Sequence, residues 1–326
     1  MSKIQSSKEK IERVEVKKNM GNFFYTLGLP IFIVGLSIFF TISEPRFLSL
    51  QNFQNVARQA SGLTLLAVGE AFAIISGGID ISVGSIVGFA GIFTVVALQN
   101  FGLVGLLVGP VVGAFVGLIT GSIISRFRVA PFVVTLAALT ILRGSIYLYT
   151  GGLPIFGNLP AFFVTLGTGF FAGVPITFIV GVIGLVICWL FLTYTYPGRY
   201  LYAIGSNEQA AWLSGIDTTS IKTMAYVLTG LLSGIAGVLF SARVNSGQPN
   251  LGSLMELDAI AAAVIGGVSL TGGKGTMVGV FYGVILLSIV RNGLNLIEVS
   301  SFAQMVVVGL IIVIAVVIDA LEHRKE

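Results

Sequence analysis

The stretch GEAFAIISGGIDISVGSIVGFAG, residues 69–91, sets Glu70, Asp80 and the glycine pair Gly77 and Gly78 inside an otherwise apolar run. A carboxylate at the centre of a membrane helix costs about 2.5–3.5 kcal/mol on insertion scales, so acids in such a run need a reason. Two adjacent glycines end a helix more readily than they continue one. The segment therefore predicts the end of one helix, a capped break and the start of the next. Asp80 or Ser82 is placed to cap the second helix. Two readings of Asp80 are compatible: a cap at the cytoplasmic boundary, and a group lining a pathway.

The surrounding chain is that of a membrane protein. Of its 326 residues, 55% are hydrophobic, only 10% are charged and 42 are glycine. Soluble domains average about 25% charged residues and about 7% glycine. Close helix packing in lipid favours small side chains. Ten runs approach the roughly 20 apolar residues that a crossing requires: 23–42, 56–76, 81–99, 101–125, 130–150, 172–194, 222–242, 256–270, 276–294 and 302–320. The third and eighth adjoin glycine clusters. With the N-terminal segment taken as cytoplasmic, 13 of the 18 Lys and Arg residues fall on the cytoplasmic side. Three fall outside (Arg46, Arg58, Arg243), and Arg143 and Arg291 lie in or near spans. That asymmetry predicts an even number of crossings with both termini cytoplasmic. The expected organisation is a basic tail over 1–20, a transmembrane domain over 21–321 and a short cytoplasmic tail over 322–326. The long charged start followed by a run of spanning length predicts a retained anchor rather than a cleaved signal. The net charge of +4 then reflects orientation and lipid head groups, and no basic patch interleaved with aromatics points to nucleic acid.

Enzymatic chemistry has little to work with. The single cysteine, Cys188, lies in an apolar run, and the single histidine is His323. A Ser-His-Asp or Cys-His arrangement has no histidine in the body of the chain, and zinc would want more nitrogen and sulfur ligands. No cofactor is expected. The nearest approach to a phosphate-binding loop is GGVSLTGGKGT, 266–276, where Gly267 and Gly273 are one residue too far apart and Gly275 follows Lys274 in place of Ser or Thr.

Other features concern packing and pathway. Gly109, Gly113, Gly117 and Gly121 recur every four residues, predicting a close helix contact, static in preference to moving. Gly230 with Gly234, and Gly279 with Gly283, repeat the spacing more weakly. GGIDISVG, 77–84, resembles GGVSLTGG, 266–273, which suggests an internal repeat. Paired glycine-interrupted segments point to a transport site near mid-membrane. Candidate pathway residues are Glu70, Phe72, Gly77, Gly78, Asp80, Ser82, Asp258, Gly266 and Gly267. For Glu70 and Asp258, ion pairing with Arg143 and Arg291 is the structural reading favoured over substrate contact. Between the sixth and seventh runs lies the longest polar cytoplasmic insertion, 196–222. Within it Asn207 is set to cap a short helix whose Ala210, Ala211 and Leu213 form a small, partly apolar surface.

FLSLQNFQNVARQ, GGIDISVGS, AIGSNEQAAWLSGI and DAIAAAVIGGVSLTGGKGT, in that chain order, together resemble the permease subunits of ribose-type monosaccharide ABC importers, a similarity that runs from about residue 47 to residue 319. The resemblance implies an all-α polytopic fold of the type II ABC importer kind with about ten spans, in the cytoplasmic membrane. It implies an ABC ATPase subunit, an extracytoplasmic sugar-binding protein and a second permease, identical or paralogous, as partners. It also implies that 205–216 is the helix that docks into the ATPase, with Gly205, Asn207, Glu208, Ala210, Ala211, Leu213 and Gly215 in that role. The alternative is a secondary transporter in which Glu70, Asp80 and Asp258 carry a coupling ion.

Overall fold

A computed structural model of the chain describes residues 28–323, with side chains through 317. The N-terminal tail and the side chains of the C-terminal tail, His323 included, lie outside the described residues. The chain is built from helices α1 (Gly28–Ser43), α2 (Leu50–Ile75), α3 (Val83–Phe101), α4 (Val108–Phe127), α5 (Pro131–Thr150), α6 (Ala161–Thr168) and α7 (Ile176–Tyr194). Then follow α8 (Tyr196–Ser206), α9 (Glu208–Leu213), α10 (Thr218–Val244), α11 (Met255–Ile265), α12 (Met277–Leu296) and α13 (Ser301–His323). The only strands among the described residues are Phe170–Phe171 and Val174–Pro175, a two-stranded antiparallel hairpin. Among the described residues, five helical segments are long and apolar enough to cross a membrane: Val83–Phe127, Pro131–Thr150, Ile176–Tyr194, Thr218–Val244 and Met277–Leu296. In the first of these a 3₁₀ stretch, Gly102–Leu107, joins α3 to α4.

Helix α2 is the axis of the bundle. Ser49 starts it, its hydroxyl accepting from the Asn52 amide, and every residue from 60 to 75 is buried. Its 26 residues extend roughly 39 Å at 1.5 Å per residue, and α7, α10, α11 and α12 pack around it. Around that core the outer helices turn large apolar side chains outward. Val111 and Phe115 of α4 are about three-fifths exposed and Phe302 of α13 is 82% exposed. Apolar surface presented on this scale belongs in lipid.

The four-residue glycine spacing in α4 has its partner in α10. A Cβ on Gly113 would strike the Gly230 carbonyl, one on Gly117 the Tyr226 carbonyl, and one on Gly109 would come within 3.0 Å of the Gly234 carbonyl oxygen. Gly230 and Gly234 meet Gly113 and Gly109 in return, so the helices run antiparallel with backbones touching. The third glycine pair does the same between α11 and α12: Gly279 lies against Gly266, and Gly283 against Ala262. All three spacings read from the sequence are helix seams.

One expectation changes. The run 256–270 is not one continuous helix. α11 has 11 residues, roughly 16 Å, about half of a 30 Å hydrocarbon core, and the chain then continues without regular structure to Thr276. Val268 and Ser269 in that stretch are buried, which is where irregular backbone is tolerated in a membrane protein. The break at 77–80 falls between the end of α2 at Ile75 and the start of α3 at Val83, as the glycine pair predicts.

Candidate functional site

The polar insertion forms a compact unit at one end of the bundle. Thr195 caps α8 by accepting from the Gly198 amide, with proline in the first turn. Asn207, in an extended conformation, caps α9 through its side-chain oxygen, 2.9 Å from the Ala210 amide nitrogen. α9 ends where Gly215 adopts φ +85°, its amide donating to the Trp212 carbonyl while the Ile216 amide donates to Ala211. Only glycine takes that backbone without strain. Lys222 pairs with Glu208 at 2.5 Å. Asp217 caps α10, and hydrogen bonds from the Ser220 hydroxyl and amide hold its carboxyl below the usual carboxylate range. Ala210 and Leu213 face outward as expected, but Ala211 is turned in and buried. Trp212, 60% exposed, takes its place in the apolar surface. The helical periodicity of AAWL carried that signal and sequence reasoning passed over it.

Behind α9, Gly205 is the point where three segments meet by backbone alone. The Gly273 amide donates to the Ile75 carbonyl at 3.0 Å. A Cβ on Gly205 would strike that same carbonyl and lie 2.5 Å from the Gly273 nitrogen. A Cβ on Gly272 would lie 2.9 Å from the Gly205 carbonyl oxygen and 3.0 Å from the Gly77 Cα. The Tyr202 hydroxyl adds a hydrogen bond to the Gly275 carbonyl at 2.8 Å. Both glycine-interrupted segments thus touch each other and the turn leading into α9.

Those segments share one helix-ending motif, shifted by one residue from the alignment of their glycine pairs. Gly77 donates to Ile74 and Gly78 to Ala73; Gly267 donates to Val264 and Val268 to Ala263. Gly77 and Gly267 have φ of +86° and +85°. The equivalent residues are Gly77 with Gly267 and Ser76 with Gly266, not first glycine with first glycine. Gly266 instead supplies the close approach to Gly279, and at Gly78 a Cβ would collide with the Tyr226 hydroxyl.

Glu70 and Asp80 are fully buried, and hydrogen bonds rather than a counter-ion hold them. The Asp80 amide donates to Glu70 Oε1 at 3.0 Å; Asp80 Oδ1 accepts from the Ser82 amide at 2.9 Å and its hydroxyl at 2.5 Å. Ser82 occupies the cap position of α3 but its side chain makes no cap bond; Asp80 organises that turn. No basic side chain pairs with Glu70 among the described residues. The expected pairing with Arg143 is replaced by Arg143 donating to the Pro249 and Leu251 carbonyls, at 3.1 and 2.9 Å. The other expected pair forms: Arg291 meets Asp258 at 2.5 Å. Phe72 is core, edge-on to Phe191 with centroids 5.9 Å apart. Glu256, passed over in the sequence, is buried beside Gly84. Asp258 and Arg291 border a cavity of about 180 Å³ between α2, α10, α11 and α12.

A helical bundle with apolar outer faces, and a capped polar insertion joined by backbone to two breaks in its helices, fits a polytopic membrane permease. Residues 52–316 match the family described as "Branched-chain amino acid transport system / permease component", and the chain belongs to that family. It is similar to the ribose import permease protein RbsC of Bacillus subtilis, 42% identical over 97% of each chain. It is also similar to RbsC of Escherichia coli K12, 41% identical over 88% of this chain and 91% of the relative. The galactose/methyl galactoside import permease protein MglC of Haemophilus influenzae is 34% identical over 98% of this chain and 99% of the relative. No solved structure gives a significant match.

Proposed function

We propose that this chain is the membrane-spanning permease subunit of an ATP-binding-cassette importer that moves a monosaccharide, ribose first among candidates, into the cell by alternating access. The junction of Ile75, Gly205 and Gly273 carries the mechanism. α9 presents Ala210, Trp212 and Leu213 to an ATPase subunit, and Gly205, two residues before its Asn207 cap, bears directly on both breaks. A displacement of α8 and α9 therefore moves the ends of α2 and of the irregular segment after α11 with no side chain to absorb it. Names of relatives that import ribose support the choice of sugar. A sugar-binding protein supplies affinity from outside, and a second permease subunit completes the path. In this reading the chain crosses the cytoplasmic membrane ten times, with the α8–α9 end and both termini cytoplasmic. The basic residues concentrated on that side favour this orientation. The ion-coupled alternative is weakened because Asp258 already has Arg291 as its counter-ion.

The test is a transporter reconstituted with its ATPase and its ribose-binding protein. Deleting residues 207–215 should leave the permease in the membrane and abolish the rise in ATP hydrolysis that loaded binding protein elicits. Normal stimulation in that variant would overturn the coupling assignment.

A further inference from the structure

The chain between α10 and α11, 245–254, is irregular apart from one bridge between Gly247 and Ile155. Its contacts with α3 fix where it runs. A Cβ on Gly247 would lie 3.3 Å from the Ile92 Cα, one on Gly88 would lie 2.6 Å from the Leu251 carbonyl oxygen, and one on Gly252 would strike the Gly84 carbonyl. From Ile92 back to Gly84 is eight residues, roughly 12 Å of helix. α3 and α10 lie parallel, since Val87 touches Gly237 and Gly91 touches Ser241. Gly84 is therefore about level with Gly234, ten residues before Val244 and close to the middle of the 27-residue α10. The chain leaves the end of α10, travels roughly 15 Å back into the bundle, and only there begins α11. Arg143 of α5 secures the inner end through the Pro249 and Leu251 carbonyls, at 3.1 and 2.9 Å.

Because α10 is long and apolar enough to cross a membrane, the tip of this segment lies near mid-membrane. Asn250, Ser253 and Leu254 are nevertheless exposed there. Neither the Asn250 side-chain amide nor the Ser253 hydroxyl has a hydrogen-bond partner among the described residues. Irregular backbone is tolerated at such depth only where protein covers it or it lines a watered cavity, and an unpartnered amide in hydrocarbon is costly. This subunit leaves the tip uncovered, so something other than lipid faces it. Glu70, Phe72 and Asp80, read from the sequence as pathway candidates, are fully buried and do not meet a solute in this arrangement. The tip offers an amide that donates and accepts and a hydroxyl that does either. Such neutral groups exchange hydrogen bonds with a polyol without a fixed charge to trap it.

We propose that 248–254 is a re-entrant segment lining the translocation passage, on the face of the subunit that carries α5, with Asn250 and Ser253 as the groups that hydrogen-bond a passing neutral sugar. This rests on the importer reading. It puts the passage at the subunit surface, where a second permease closes it, and not through the interior of one bundle.

Single thiols test it. Cys188→Ala removes the one native cysteine, and Asn250→Cys, Ser253→Cys and Val111→Cys are made separately in that background. Val111, 63% exposed on the outer face of α4, is the lipid-facing control. Each variant is reconstituted in proteoliposomes with the ATPase and the ribose-binding protein and treated during ATP turnover with a membrane-impermeant sulfonatoethyl methanethiosulfonate. The reagent attacks thiolate, which water supports and lipid does not, so the thiols at 250 and 253 should react at least about tenfold faster than the one at 111. Their modification should stop ribose uptake relative to the same variant untreated. Rates at both positions as slow as at 111 overturn the proposal. So does fast modification with uptake intact, which would put the segment in water but off the path. Disulfides between two copies at both positions, with no reaction toward the reagent, would make the tip a subunit contact and overturn it too. A wild-type complex that takes up no ribose overturns the importer reading instead, whatever the thiols do.

Discussion

Replacing Gly205 by alanine tests whether the junction is a mechanical link. The added methyl has no room: it strikes the Ile75 carbonyl and lies 2.5 Å from the Gly273 nitrogen, both backbone atoms that cannot rotate away. Relief requires α8 to shift outward or the 3.0 Å hydrogen bond from Gly273 to Ile75 to open. Overpacking a tight contact costs about 1–3 kcal/mol, and losing a buried hydrogen bond leaves groups whose desolvation costs about 1–3 kcal/mol. Since shifting α8 relieves part of each, a total of about 2–4 kcal/mol is expected. At 1.4 kcal/mol per decade, a coupled state disfavoured by about 3 kcal/mol is populated roughly a hundredfold less. Gly144→Ala is the control, because nothing lies within 4 Å of its Cβ position, and in a helix that change is neutral or slightly stabilising. The assay is the ratio of sugar-stimulated to basal ATP hydrolysis, with thermal unfolding of the purified permease measured in parallel. Gly205→Ala should lower the ratio toward one and Gly144→Ala should leave it unchanged. A Gly205→Ala protein with wild-type stimulation and wild-type melting would show that the three segments move independently, and the reasoning would fail.

Two further outcomes follow from the packing. Gly113→Leu drives a large side chain into the Gly230 carbonyl, so α4 and α10 must separate; a sharp loss of folded yield and of melting temperature is expected, whereas Val111→Leu on the exposed face of α4 should be nearly silent. Arg291→Ala strands Asp258, whose side chain is 11% exposed. Breaking a buried pair costs about 3–5 kcal/mol, reduced here to about 2–3 kcal/mol because the Arg291 side chain is 38% exposed. Adding Asp258→Asn to Arg291→Ala should recover part of the lost melting temperature, and no recovery would place the cost elsewhere than in the stranded charge.

How much of this was legible in the sequence depends on what lipid penalises. Apolar runs announced the helices because a crossing without them is too costly, and Asp258 and Glu70 stood out because a charge in such a run needs an explanation. The glycine spacing in α4 was readable as a contact face, but its partner in α10 was a weaker pattern until geometry matched Gly113 with Gly230. Neighbouring signals failed for physical reasons. The repeat was aligned on glycine letters, whereas φ fixes equivalence, and within the two glycine pairs 77–78 and 266–267 only Gly77 and Gly267 take the left-handed turn. Arg143 was assigned an acid because sequence offers ions as partners, while the fold gave it two carbonyls. The cavity was hidden most completely. Gln59, Ser288 and Phe240 are individually ordinary, lie on three helices, and are gathered around one cavity only when α2, α10 and α12 pack. Charged residues in a membrane protein declare themselves one at a time; neutral hydrogen-bonding groups do so only in company.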